Sequence, residues 1–194
     1  MSRLPLHPVA ADDDRVAEVF ASIRARGGEP SNFYRTLAHA PGLLQPWIGL
    51  TRAVLGHTRL DRGLVELCVL RVARRLDVAY VQAHHLPMAR KAGVTEAHLA
   101  ALDRWPESDE APEDTATAVP DPFDARTRAA LRYTDRLVDG LAGTPVGDET
   151  VADLRDELDD GEVVELTVTV AVYVATATVH RALAVDVEPD RAHA

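Results

Sequence analysis

Apolar residues recur along most of the chain at the three- and four-residue spacing of a helix face. Val16, Val19, Phe20 and Ile23 make one such stripe, which starts after Asp12 to Asp14 and ends at Gly27-Gly28. Ser31 is placed to cap a short helix over Asn32 to Ala38, stopped by Ala40-Pro41-Gly42. Trp47, Leu50 and Val54 share the stripe of a helix over 43–55, which tolerates Pro46 in its first turn. Thr95 caps a helix to about Asp103, with Val94 and Leu99 as a hydrophobic staple. Asp124 caps another to Asp139, and Asp148 a third to about Leu158. One segment breaks the pattern. From Val164 to Val174 the chain alternates with period two and is full of β-branched residues, which favours a strand. Yet it runs without a breaker from Gly161 to Ala184, beyond the length of a usual strand.

The stretch from Leu60 to Gly93 carries the candidate chemistry. Asp61 is an N-cap, Leu60 and Val65 stand at staple positions, and a dense apolar helix follows with one acid, Glu66. Val69, Leu70 and Ala73 lie three, four and seven residues on, so the acid sits on an apolar face. A carboxylate buried there needs a donor or a shifted pKa. One ordinary outcome is a pair with an arginine such as Arg71, or with a helix amide. Asp77 is placed to cap a second helix on which Tyr80 and His84 share a stripe, with His85 about 100° further round. Pro87 should kink or restart that helix, and Gly93 should close it. Packed antiparallel, the two helices bring Glu66, Tyr80 and His85 together in one solvent-reachable pocket. An acid, a phenol and an imidazole are general acid–base equipment, and the carboxylate should raise the imidazole pKa.

Composition narrows the partners. The chain has 194 residues, enough for one substantial core, and a formal net charge of −10 with no basic cluster, which argues against nucleic acid and anionic membrane. The sole cysteine, Cys68, excludes an intramolecular disulfide and a multi-cysteine metal site; the adjacent His84 and His85 make a poor chelate, so no metal is expected. The start lacks a signal-peptide apolar region, and the longest apolar run, Leu166 to Val179, is too short to span a bilayer, so a soluble, cytoplasmic protein is expected. Residues 104–122 are rich in Pro, Asp and Glu and read as an acidic, mobile linker.

The order of residues around Glu66 resembles a known family. An acid, an arginine-rich helix end, a short motif ending in His, and Ala-Arg-x-Ala-Gly resemble the carboxymuconolactone decarboxylase and alkylhydroperoxidase D family. The likeness continues through SNFYRTLAHAPGL upstream and MARKAGVTEAHLAAL downstream. Redox members space Glu, Cys-x-x-Cys and His so that the acid falls at Glu66, the cysteines at Val78 and Val81, and the histidine at His85. Both cysteines are absent, so the chain is similar to cysteine-free members, whose motif reads Tyr-Glu-Trp-x-x-His; Val81 and Gln82 stand where Glu and Trp would be.

The resemblance implies an all-α helical bundle and decides for a helix at 161–184. LDRGLVEL at 60–67 returns as LDDGEVVEL at 158–166, with Glu165 opposite Glu66, which suggests two related helical halves in one domain. The motif unit covers about 43–103 and a degenerate second unit about 124–187. For function, the resemblance implies cofactor-free acid–base chemistry on a small carboxylated or carbonyl-bearing metabolite: decarboxylation, isomerisation or dehydration. Glu66, Tyr80 and His85 are the catalytic candidates, and His84, Gln82 and Arg71 the substrate-binding ones. The alternatives are an alkylhydroperoxidase-like antioxidant or a non-catalytic ligand-binding scaffold. A homo-oligomer, trimer or hexamer, is expected on the same ground.

Overall fold

The computed structural model describes residues 2–105, 121–143 and 145–191. Nine helices occur among the described residues, and no strand. They are α1 (Asp14–Arg24), α2 (Asn32–Leu37), α3 (Pro41–Gly56), α4 (Arg62–Arg75), α5 (Ala79–Lys91), α6 (Glu96–Asp103), α7 (Ala125–Gly140), α8 (Asp148–Arg155) and α9 (Asp160–Leu183). The protein is all-α. Most of the linker expected over 104–122 falls at 106–120, outside the described residues.

The helix starts follow local chemistry. The side chains of Asp13, Ser31, Asp61, Thr95, Asp124 and Asp159 each accept from a backbone N–H in the first turn of the following helix. Two starts differ from expectation. Asp148 is the first residue of α8 and Gly147 its cap. Asp77 does not cap α5; it closes α4, in the left-handed region at φ 51°. Asp77 N–H donates to Arg74 O (3.2 Å) and Val78 N–H to Ala73 O (2.8 Å), the paired bonds of a Schellman turn. The sharp reversal lays α5 back along α4. Helix α5 also continues through Pro87 and does not restart there. Helix α3 begins at Pro41, so Pro46 lies inside the helix, beyond its first turn.

Helix α4 is the axis of the fold. Every residue from Gly63 to Ala73 is buried, because α5, α7 and α9 all pack on this helix. The all-round apolar sequence around Glu66 is what such a position demands. Gly63 is needed where α4 passes the end of α5: a Cβ there would lie 3.0 Å from Asp61 Oδ1 and 3.3 Å from Ala92 O.

Helix α9 overrides its strand-like sequence. Leu166, Thr169, Val170, Tyr173, Thr176, Ala177 and His180 come at helical spacing and are buried, so packing supplies what propensity withholds. Thr167, Thr169, Thr176 and Thr178 each return their hydroxyl to the carbonyl four residues back, at 2.7–2.9 Å. By length and composition α9 could cross a membrane, unlike the shorter run Leu166 to Val179 taken alone; here one face is in the protein core. Glu165, the counterpart of Glu66 in the internal comparison, accepts from Arg59 N–H at 2.9 Å and takes no part in the site below.

Ala184, at φ 48°, ends α9 and turns the chain back over α2 and α5. The segment that follows is tied to the other end of the sequence. Ser2 N–H donates to Asp186 Oδ2 (2.7 Å), Arg3 N–H to Leu183 O (2.9 Å), and Asn32 Nδ2 to Asp186 O (3.0 Å).

Candidate functional site

Glu66 projects from the middle of α4 with no solvent exposure. Its two oxygens have different partners. Oε1 accepts from Arg62, one turn earlier on α4, with Nε at 2.9 Å; Oε2 lies 2.7 Å from His85 Nδ1 on α5. Arg62 can only donate, so Oε1 accepts; as a carboxylate Glu66 accepts on Oε2 as well, and His85 Nδ1 carries the proton in this bond. That leaves His85 Nε2 with its lone pair, and no protein group among the described residues bonds to it. His85 is 6% exposed. The side chain of Arg62 is 36% exposed, so the charge at this centre reaches the surface through the guanidinium.

Tyr173 of α9 completes the centre. Its ring meets the His85 ring edge-on, with centroids 4.9 Å apart at 89°. Burial pushes its phenol pKa well up, the charge of Glu66 and the neighbouring Tyr34 push the same way, and Arg62 opposes them. The phenol therefore keeps its proton beside a carboxylate and an imidazole.

A second polar cluster lies along the same helices. Tyr80 turns its hydroxyl away from Glu66 and His85. It donates to Glu188 Oε1 (2.8 Å) and accepts from Phe33 N–H (3.2 Å). His84 Nε2 meets Glu188 Oε2 at 2.6 Å, and Asn32 N–H donates to Glu188 Oε1 at 2.6 Å. The rings form a continuous stack. Phe33 lies on His180 (4.5 Å), His180 on Tyr80 (4.1 Å) and Tyr80 on His84 (4.4 Å). His180 is 4% exposed, and neither ring nitrogen has a partner. Burial lowers its pKa to about 4, helped by His84 and opposed by Glu188. Burial also raises the Tyr80 pKa. Tyr173 and His180 are seven residues apart on α9, so the two clusters sit about 10 Å apart on one face of that helix.

The six residues expected at the site thus separate. Glu66 and His85 are in contact; Tyr80 and His84 belong to the second cluster. Gln82 is half-buried on α5 and joins neither by a hydrogen bond among the described residues. Arg71 is committed elsewhere. It is buried, and its Nε and a terminal nitrogen meet Asp135 of α7 at 2.6 and 3.1 Å. Arg75 (3.1 Å) and Trp105 Nε1 (3.0 Å) donate to the same carboxylate. This is a buried α4–α7 tie, and the arginine beside Glu66 is Arg62.

Sequence reasoning missed Arg62, Tyr173, His180 and Glu188. Only Arg62 left a signal, its position four residues before a buried acid. Around the ring stack, Tyr34 lies 6.2 Å from Phe33, and Trp47 packs its ring edge-on against Phe33 at 5.8 Å with its indole N–H buried and unpartnered. A cavity of about 420 Å³ lined by Leu76, Leu141, Thr178, Arg181 and Ala182 shares no residue with either cluster.

Comparisons with known proteins bear on the family and the fold. Residues 41–136, which include α4, α5 and Glu66, match the profile of the carboxymuconolactone decarboxylase family. No curated protein matches by sequence. Among solved structures, an uncharacterized peroxidase-related protein from Silicibacter sp. TM1040 superposes with a TM-score of 0.77 at 17% identity, over 98% of this chain and 93% of that one. An uncharacterized peroxidase-related protein with an alkylhydroperoxidase AhpD core, from Ralstonia eutropha JMP134, gives 0.76 at 17% identity over 97% and 93%. The debrominase Bmp8, in complex with 2,3,4-tribromopyrrole, gives 0.73 at 16% identity over 97% and 95%. These likenesses establish the fold, and the sequence holds a single cysteine, Cys68. By its matched region and its fold, the chain belongs to the carboxymuconolactone decarboxylase and alkylhydroperoxidase D-like family, as a member without the cysteine pair.

Proposed function

We propose that Glu66 and His85 form an acid–base centre for a small carboxylated or carbonyl-bearing metabolite, in a decarboxylation, isomerisation or dehydration. The observation that carries this reading is the 2.7 Å bond from His85 Nδ1 to a carboxylate buried on every side. A carboxylate so placed fixes the ring and its tautomer, and it stabilises the imidazolium that forms when Nε2 takes a proton. Nε2 is the base. Arg62 supplies the compensating charge on the far oxygen of Glu66, and its remaining N–H groups, at the partly exposed end, are the donors for a substrate carboxylate. Tyr173, kept protonated by burial, is the hydrogen-bond donor for oxyanion charge that develops on the substrate.

The debrominase among the fold neighbours holds a small ring compound, which agrees with a small-molecule substrate. A thiol peroxidase cycle finds no support. Cys68 is wholly buried and burial pushes its thiol pKa up to about 12, while Val78 and Val81 offer no second sulfur.

The test is substrate-tolerant. A panel of oxo acids, lactones and unsaturated dicarboxylic acids is incubated with the protein in D2O, and deuterium uptake next to the carbonyl is followed by NMR together with product formation. Glu66→Gln and His85→Ala should each lower the rate by roughly 10²-fold or more. A rate that both variants retain would remove the pair from the chemistry.

A further inference from the structure

The second cluster is built as a receptor for a carboxylate. Three donors from the body of the fold converge on one pair of oxygens: Asn32 N–H (2.6 Å) and Tyr80 O–H (2.8 Å) on Oε1, and His84 Nε2 (2.6 Å) on Oε2. The donors stand on α2 and α5, whose Phe33, Leu37, Val81, His85 and Ala89 are anchored in the core. The carboxylate they hold arrives from outside those helices, on the irregular segment past Ala184.

Two further observations fit a receptor better than a structural tie. Burial works against ionisation of Glu188, yet the bonds from His84, the Asn32 amide and Tyr80 hold its pKa down at about 2, so the cradle selects an anion. Behind Tyr80, the His180 ring is buried with both nitrogens unsatisfied, a costly arrangement that a tie between helices and a terminal segment does not require.

We propose that Asn32 N–H, Tyr80 O–H and His84 Nε2 form a binding site for the carboxylate of a small organic acid, and that Glu188 fills it as a tethered, displaceable stand-in. A tethered group competes as an effective concentration, in the millimolar range for a short flexible link, so a free acid must exceed that level or bind with additional contacts to win the site. Apart from Glu188, the segment is held by Val185, which is buried, and by exposed bonds from Ser2 and Asn32 to Asp186, so Glu188 can leave the cradle while the segment stays tethered. The site is separate from the Glu66–His85 pair, and the proposal stands without any assignment of a reaction.

Chemical rescue of the full chain tests it. Glu188→Ala is melted in sodium acetate and in sodium chloride at matched ionic strength, beside the unaltered protein. A ligand that binds only the folded state raises Tm with the logarithm of 1 + [L]/Kd, and at roughly ten times its Kd the rise is a few degrees for a chain of this size. Acetate should raise the Tm of Glu188→Ala by that amount and leave the unaltered protein unmoved. Adding His84→Ala should abolish the rescue. Equal shifts in both proteins, or none in Glu188→Ala, overturns the proposal. If Glu188→Ala does not fold, Glu188→Gln is titrated with acetate while the Asn32 amide resonance is followed; a resonance that stays put to saturating acetate overturns it equally.

Discussion

Replacing Glu66 with Gln should reverse the tautomer of His85. In the native protein the Nδ1–H bond goes to a buried, ionised carboxylate at 2.7 Å. A hydrogen bond to a charged group contributes about 1.5–3 kcal/mol. With 1.4 kcal/mol for each factor of ten, the bond favours the Nδ1–H form by roughly 10- to 100-fold over the Nε2–H form. A Gln at this position must keep its carbonyl toward Arg62, which can only donate. Its NH2 then faces Nδ1, which has to become an acceptor, and the proton moves to Nε2. The lone pair proposed as the base is lost although every side chain keeps its place. Long-range ¹H–¹⁵N correlation spectra of the imidazole, recorded at alkaline pH where the ring is neutral, distinguish a protonated from a bare ring nitrogen. Native His85 should show a bare Nε2, and Glu66→Gln a protonated one. A native ring that already carries its proton on Nε2, or a spectrum unchanged by the substitution, would refute the assignment of Nε2 as base.

Three further outcomes follow from buried charge. Asp135→Ala removes the carboxylate shared by Arg71, Arg75 and Trp105 while Arg71 stays buried, so urea unfolding should report a loss of about 3–5 kcal/mol; a loss below ~1 kcal/mol would show that the tie is not needed. The His180 pKa of about 4 lies below the unfolded value, so the unfolded chain binds more protons between them; stability should therefore fall, by up to about 3 kcal/mol, as pH drops from ~6.5 toward 4. His180→Phe should flatten that limb of the pH–stability curve, and an unchanged slope would point to other groups. Cys68, wholly buried and with its pKa near 12, should resist thiol reagents until the protein unfolds, and Cys68→Ser should leave turnover largely intact.

The residues most legible in the sequence were those whose partners are near in the chain. Glu66 and His85 stand nineteen residues apart on two helices joined by a tight turn, so an acid on an apolar face brought the two helices' polar residues together, and the family pattern singled out His85. The helix starts were equally local, since a cap acts within one turn. Asp77 was misassigned because Asp suits an N-cap and a left-handed turn alike, and only the path of the chain separates the two. Tyr80 was drawn to the wrong pocket for a different reason. Its partner, Glu188, is 108 residues away, in a segment with no periodic pattern to reveal where it lies. Arg71 was read as a substrate-binding residue or a partner of Glu66, and its carboxylate partner, Asp135, belongs to a helix beyond the linker. The alternation in α9 favoured a strand, and the helix was read there only through the family resemblance, because propensity weighs a residue singly, whereas α4 and α7 bury a whole face at once.

The placement of the two tryptophans gives the protein a pair of built-in optical reporters. Trp47 leans on Phe33 at the end of the ring stack, and its indole N–H has no partner, so its fluorescence should lie toward the blue. Trp105 gives its N–H to the Asp135 carboxylate, so its emission should be displaced to longer wavelength. Because the sequence holds no other tryptophan, Trp47→Phe and Trp105→Phe each leave one clean signal. The first signal follows the neighbourhood of Glu188 and the second follows the α4–α7 tie. Release of the terminal segment would then be visible as a change in Trp47 alone, in dilute solution and on the millisecond scale, while the core still reads as intact.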